Sequence, residues 1–203
     1  MAIMKKTKSG FTIVELLIVI VVIAVLAAIT FVVWQSMDTR AKNTAIISTA
    51  SSWVKALESY SAANGSLKFT SAETASMSPA MITFMCLGSE DQSYEAIPSA
   101  DLTANQCISG VPVYRSSLFS DKVRDAGFNV HGSTPVLTAG GGTVVFRGMI
   151  LSAHTEPPAQ LLYYLIGSTD CGISQVEGTP VQRGGQSFTL CSVELSGFTV
   201  EGV

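Results

Sequence analysis

Residues Leu16 to Trp34 read LLIVIVVIAVLAAITFVVW, nineteen residues interrupted only by Thr30. The run holds neither Gly nor Pro, so nothing inside it breaks a helix. At about 1.5 Å per residue such a helix is about 28 Å long, close to the ~30 Å hydrocarbon thickness of a bilayer. Lys5, Lys6 and Lys8 precede the run, and mixed charge follows it in Asp38, Arg40 and Lys42. The positive-inside rule then puts the N-terminus in the cytoplasm and exports everything C-terminal.

An ordinary cleaved secretory signal does not fit. Its apolar region is about 7–15 residues and ends in a small-x-small site; this run is longer and no Ala-x-Ala triplet closes it. A plain signal anchor has no use for Glu15, which lies against the run with only Phe11–Val14 on its other side. A charge in such a segment costs roughly 2.5–3.5 kcal/mol at a helix centre, less near an end, and usually marks function.

The stretch Lys8-Ser9-Gly10-Phe11-Thr12-Ile13-Val14-Glu15-Leu16-Leu17-Ile18-Val19-Ile20 resembles the class III leader of type IV pilins and pseudopilins. Five features coincide in order: a short basic leader, the Gly, the Phe after it, the Glu four residues on, and the apolar helix. The resemblance covers about residues 1–34. It implies that prepilin peptidase cuts between Gly10 and Phe11 and methylates the new amine of Phe11. It also implies an anchor that stays in the cytoplasmic membrane until an inner-membrane assembly platform feeds the subunit into an extracellular filament of its own copies.

Each residue has a physical reason to be there. Gly10 lets a protease approach its carbonyl closely. Cutting there removes the three leader lysines and creates an amine on Phe11. That amine, from a neighbouring subunit or the same chain, neutralises Glu15, because an opposite charge favours the ionised carboxylate. An unpaired carboxylate is costly, so the pair sets the register between subunits while adding little net stability. One departure stands out. Many major pilins carry a proline far along the apolar half, with a glycine nearby; Ala24 to Val33 has neither, and Val32 stands where the proline would be. A proline weakens a helix locally. Its absence weighs against melting on assembly and towards a minor pilin or pseudopilin.

The helix is expected to continue past the membrane. Ala45, Ile46, Ala50, Trp53, Val54, Leu57 and Tyr60 recur at helical spacing, with Arg40, Lys42, Asn43, Ser51, Ser52, Lys55 and Glu58 on the opposite face. Asn64-Gly65 is a C-terminal stop. The spacing predicts one helix from about Thr12 to Ala63, about 78 Å long. Its apolar half, 11–34, is read as membrane anchor and filament core. Residues 35–65 are read as the amphipathic continuation, and 1–10 as the cleaved leader.

Residues 66–203 read as a polar head. Strand-like runs occur at Met81–Leu87, Val111–Arg115, Thr143–Ile150, Leu161–Ile166 and Ser187–Leu195. Ser117 to Ala126 suits a short helix with Ser117 as N-cap and Gly127 as stop. Pro79, Pro98, Pro112, Pro135, Pro157 and Pro158 fall in or beside loops, and Gly140-Gly141-Gly142 reads as a hairpin turn. The expected class is α+β and pilin-like, with an antiparallel sheet packed on the long helix. Cys86, Cys107, Cys171 and Cys191 all lie in the exported part. Four cysteines allow three pairings; sequential pairing is favoured because its loops are of similar length, and a crossed pairing remains open. By the resemblance, a Cys171–Cys191 bridge would enclose the variable loop that faces outward on pilins.

Composition excludes several functions. The chain has 203 residues, 47% hydrophobic and 13% charged, with a mean hydropathy of +0.41. Such a chain is not disordered, and with one long apolar run it is not polytopic. From Gln35 onward nine basic and fourteen acidic residues give −5, so nucleic acid is not the default partner. No Cys-x₂-Cys pattern and only two histidines argue against zinc. His154-x-Glu156 lacks the Pro-Cys-x-x-Cys of a deaminase, no Gly-Lys-Ser/Thr follows the triple glycine, and no Gly-x-Ser-x-Gly occurs. Asp121 and Asp125 stand beside Lys122 and Arg124 as a solvated charge cluster. Asn64-Gly65-Ser66 is formally a glycosylation sequon, on residues already used as the helix stop.

The expected function is therefore structural, as a subunit of a type IV pilus with roles in adhesion, twitching motility or DNA uptake. It involves no cofactor, no metal and no catalytic residue. A pseudopilin or minor pilin of a type II secretion or competence system is the alternative within the superfamily. A membrane-anchored extracytoplasmic binding module is the alternative outside it.

Overall fold

The computed structural model describes residues 10–68, 70, 84–87, 106–110, 114–115, 117–128, 135–153, 158–167, 170–174 and 176–201. Its first element is α1, Ile13–Asn64, an unbroken helix of 52 residues. This is one residue from the expected span at each end. It stops where Gly65, at φ +75°, donates its N–H to Ser61 O at 2.8 Å, a left-handed cap closed by one bond.

The chain divides into two compact units between Arg40 and Ala41. The first unit, as far as it is described, is the apolar part of α1. Its described large apolar side chains between Ile13 and Met37 are about half exposed or more on every side of the helix. It is the one helix among the described residues long and apolar enough to cross a membrane.

The second unit is the head together with the rest of α1. Here α1 buries Ile46, Thr49, Ala50, Trp53, Ala56 and Leu57, an i, i+3, i+4, i+7 pattern that forms one helical face. Val54 and Tyr60, also expected on that face, are partly buried against the core. Thr49 joins the face because its hydroxyl donates back to Ala45 O at 2.9 Å, leaving no bare polar atom there.

The main sheet has six strands. In chain order these are β2 Phe84–Leu87, β3 Tyr114–Arg115, β6 Met149–Ser152, β7 Ala159–Ile166, β8 Gly178–Arg183 and β9 Gln186–Leu195. Across the sheet they run β3-β2-β6-β7-β9-β8. Five of them form an antiparallel sheet; β3 joins β2 in parallel. The centre is β7 against β9, registered from Ala159↔Leu195 to Ile166↔Phe188. Along β7, Ala159, Leu161, Tyr163 and Leu165 are buried while the residues between are half-buried, the period of two of a strand with one face on the core. Fully burying each large apolar chain here contributes about 1.5–3 kcal/mol.

Two small ladders complete the head. β1 (Leu67–Lys68) pairs in parallel with β10 (Val200–Glu201). β4 (Leu137–Ala139) and β5 (Val144–Phe146) form a hairpin whose 3-10 turn is Gly140–Gly142, as its glycines suggest. Between β3 and β4 lies α2, Ser117–Asp125, which includes Ser117 rather than being capped by it. Phe119 on α2 meets Trp53 with ring centroids 6.4 Å apart, and Phe146 stacks on Tyr164 at 4.2 Å.

The structure corrects several expectations. Thr143–Ile150 is two strands, β5 and β6, because Gly148 at φ +74° turns the chain between them. Asn43 does not belong to a solvated polar face; it holds the end of β7, as described below. The strands β1, β4, β8 and β10 are additions to the expected set, and Pro180 stands inside one of them. Residues 81–83 and 111–113, the first parts of two expected strands, lie outside the described residues. So do His154, Glu156, Pro79, Pro98, Pro112, Pro157 and the leader lysines.

Candidate assembly site

Gly10, Phe11 and Thr12 precede the first helical residue, and Gly10 and Phe11 are exposed, Phe11 by 88%. The Gly10–Phe11 bond therefore lies outside the helix. Thr12 and Glu15 then start α1. The Thr12 N–H donates to Glu15 Oε2 at 2.9 Å and the Thr12 hydroxyl to the same oxygen at 2.8 Å. In return the Glu15 N–H donates to Thr12 Oγ1 at 3.2 Å. This is a capping box, which satisfies orphan donors of the first turn and places a negative charge at the positive end of the helix dipole. Both bonds to the carboxylate end on Oε2, so Oε1 takes no part in the box. The Thr-x-x-Glu spacing is itself a sequence signal, which reading Glu15 alone passes over.

The same economy appears further along. Thr30, the interruption in the apolar run, donates its hydroxyl to Ala27 O at 2.9 Å. A helix in lipid has no water to satisfy such a group, so a bond back to its own backbone is the available solution.

In the head, three features tie α1 to the sheet. Asn43 Nδ2 donates to Ile166 O at 3.0 Å, and the Ile166 N–H donates to Asn43 Oδ1 at 2.9 Å. The amide thus stands in for a neighbouring strand at the end of β7. Gly172 lies against Ile47: a Cβ built on it would come within 2.7 Å of Ile47 Cδ1. The Ser61 hydroxyl donates to Gly197 O near the other end. No periodicity announces the role of Asn43, since a polar residue on a helix reads as solvated until its partner strand is known.

Cys86 is bridged to Cys107, and Cys171 to Cys191, with Cα–Cα distances of 5.8 and 5.7 Å. All four are buried. The first joins β2 to the segment beside Ile108, which bridges to Phe146. The second ties the segment before β8 to the middle of β9. Beside it the Tyr163 hydroxyl donates to Cys171 O at 2.7 Å. Burial and the Asp170 charge together push the Tyr163 phenol well above its ordinary pKa.

A groove of about 650 Å³ is lined by Val54, Val176 and Val193 and by the carboxylates of Glu58, Glu177 and Glu194. Among the described residues no group of three or more His, Cys, Asp or Glu is placed to hold a metal ion.

The Prokaryotic N-terminal methylation motif matches residues 5–31. No curated protein and no solved structure matches the chain. The matched segment contains Gly10, Phe11, the Thr12–Glu15 box and most of the exposed apolar helix. Through that segment the chain carries the class III leader of type IV pilins and pseudopilins.

Proposed function

We propose that this chain is a structural subunit of a type IV pilus. Prepilin peptidase cleaves it after Gly10 and methylates Phe11. Residues 11–34 then anchor it in the cytoplasmic membrane, head outward, until the assembly platform adds it to a filament of its own copies. Residues 35–65 join that anchor to the head, 66–203. The observation that carries this reading is the apolar segment of α1, exposed on every side and lying mostly within a methylation motif. Such a surface needs lipid first and other helices afterwards. Glu15 supplies the register, its carboxylate meeting the Phe11 amine of a neighbouring subunit.

The missing proline in Ala24–Val33 favours a second reading, a minor pilin or pseudopilin of a secretion or competence system. Sheared extracellular filaments separate the two. This chain as their main band supports the major pilin; its absence from them, with processing intact, supports the pseudopilin. Glu15→Val should be processed normally yet assemble poorly or without order, and normal filaments from it would remove the pairing role. A bulky residue at Gly10 should leave an uncut precursor; efficient cleavage would defeat the leader assignment.

A further inference from the structure

β8 is the outer strand of the six-stranded sheet, and its residues are exposed apart from half-buried Val181. The opposite edge, β3, is two residues long. Among the described residues β8 is therefore the long open edge of this sheet, where a second strand would find backbone groups to pair with.

The register decides which groups face outward. Gly184 and Gly185 both have positive φ, 55° and 76°, and join Arg183 to Gln186 as a two-residue hairpin. The pair flanking such a turn is hydrogen-bonded, and pairs along an antiparallel ladder alternate. Arg183, Val181 and Thr179 thus bond to β9, while Gln182, Pro180 and Gly178 turn their backbone groups outward. Proline has no N–H to give. At position 180 it takes no bond away from β9, and it deletes the middle one of three outward donors. An incoming strand would face a ring where it needs a donor, and its carbonyl would be left unpaired.

We propose that Pro180 closes the β8 edge against a second copy of the head, so that two sheets cannot join edge to edge. The excluded contact is β8 against β8, antiparallel about a twofold axis. Its purpose rests on the filament reading: crowded heads would otherwise form closed pairs, which end a helical array instead of continuing it. The edge chemistry does not depend on that reading.

The test uses the full chain in detergent micelles, comparing wild type with Pro180→Thr, threonine being a good strand residue. Amide hydrogen exchange is read at Gly178 and Gln182, and particle mass by light scattering as concentration rises. Wild type should exchange rapidly at both amides. Pro180→Thr should gain protection at both and reach about twice the wild-type mass, the signature of a twofold pair. Pro180→Thr with Gln182→Pro moves the missing donor along the same edge and should restore wild-type behaviour. Protected Gly178 and Gln182 amides in wild type would overturn the proposal. So would a Pro180→Thr chain that stays as small as wild type, or a double variant that still associates. Protection at Leu161 and Leu165 checks that the sheet is intact, and Pro180→Val replaces the threonine variant if it is not. Edge behaviour as expected from a chain that never enters filaments would refute the filament reading and leave this one standing.

Discussion

Replacing Asn43 by alanine removes both arms of the clamp on β7. The arms are 3.0 and 2.9 Å long and satisfy the carbonyl and the N–H of one residue, Ile166. A hydrogen bond of this kind contributes about 0.5–1.5 kcal/mol net. The site is only partly buried, so water will replace some of the loss, and about 2 kcal/mol is expected for the pair. In a domain of this size that corresponds to a fall in Tm of about 4–8 °C. The assay is thermal or urea unfolding of the full chain in detergent, followed by Trp53 fluorescence. Trp34→Phe serves as background, because Trp34 is 76% exposed on the apolar part of α1 and reports nothing of the head. Asn43→Asp keeps an acceptor for the Ile166 N–H but sets a second carboxylate oxygen against the Ile166 carbonyl, so it should be no more stable than alanine. Hydrogen exchange at the Ile166 amide should accelerate more than at Leu161, in the middle of the strand. An alanine variant within about 0.5 kcal/mol of wild type, the range of neutral surface changes, would refute the clamp as an anchor of α1 to the sheet.

Gly172→Ala puts a Cβ within 2.7 Å of Ile47 Cδ1 at φ +70°. It should cost about 1–3 kcal/mol in denaturant unfolding, and Ile47→Ala should recover only part, since the backbone strain remains. Replacing both Cys171 and Cys191 by serine opens a loop of sequence separation 20. The loss should be about 3 kcal/mol by loop entropy, and a change under about 1 kcal/mol would mean that the reduced segment keeps its shape without the bridge. The Tyr163 phenol has a folded pKa raised by burial and by Asp170 above its ordinary value of 10.0. The unfolded chain therefore loses that proton first. Head stability should hold up to about pH 10 and fall above it, while Tyr163→Phe, less stable at neutral pH, should show a shallower alkaline decline.

Much of the fold is readable because α1 depends on local pattern. The apolar run, the stripe through Ile46, Ala50, Trp53 and Leu57, and the Asn64-Gly65 stop are all written within a few residues of where they act. Strands β7 and β9 are readable for a similar reason, being long, rich in apolar residues and bounded by turn residues. β8 escapes notice although Gly184-Gly185 is a two-residue hairpin signal, because Gly178–Arg183 carries almost no apolar pattern: an edge strand buries little. Thr143–Ile150 looks like one strand because its composition is continuous, and only the positive φ of Gly148 divides it.

For the candidate site the division is similar. The methylation motif around Gly10, Phe11 and Glu15 is legible in the sequence alone, because it is a linear pattern that needs no fold to be read. The capping box is legible too, in the spacing of Thr12 and Glu15. Asn43, Gly172 and the outward position of Pro180 are not. Their partners are 123 residues away at Ile166, across the packing of α1 at Ile47, and in the parity of a ladder counted from a turn. Pairing the four cysteines needs the same information. The sequence by itself determined where the methylation motif and the apolar helix lie, since both follow from hydrophobicity and local order. Which polar residue clamps the sheet, which glycine admits the helix and which edge stays closed depend on long-range register, and that exists only once the chain has folded.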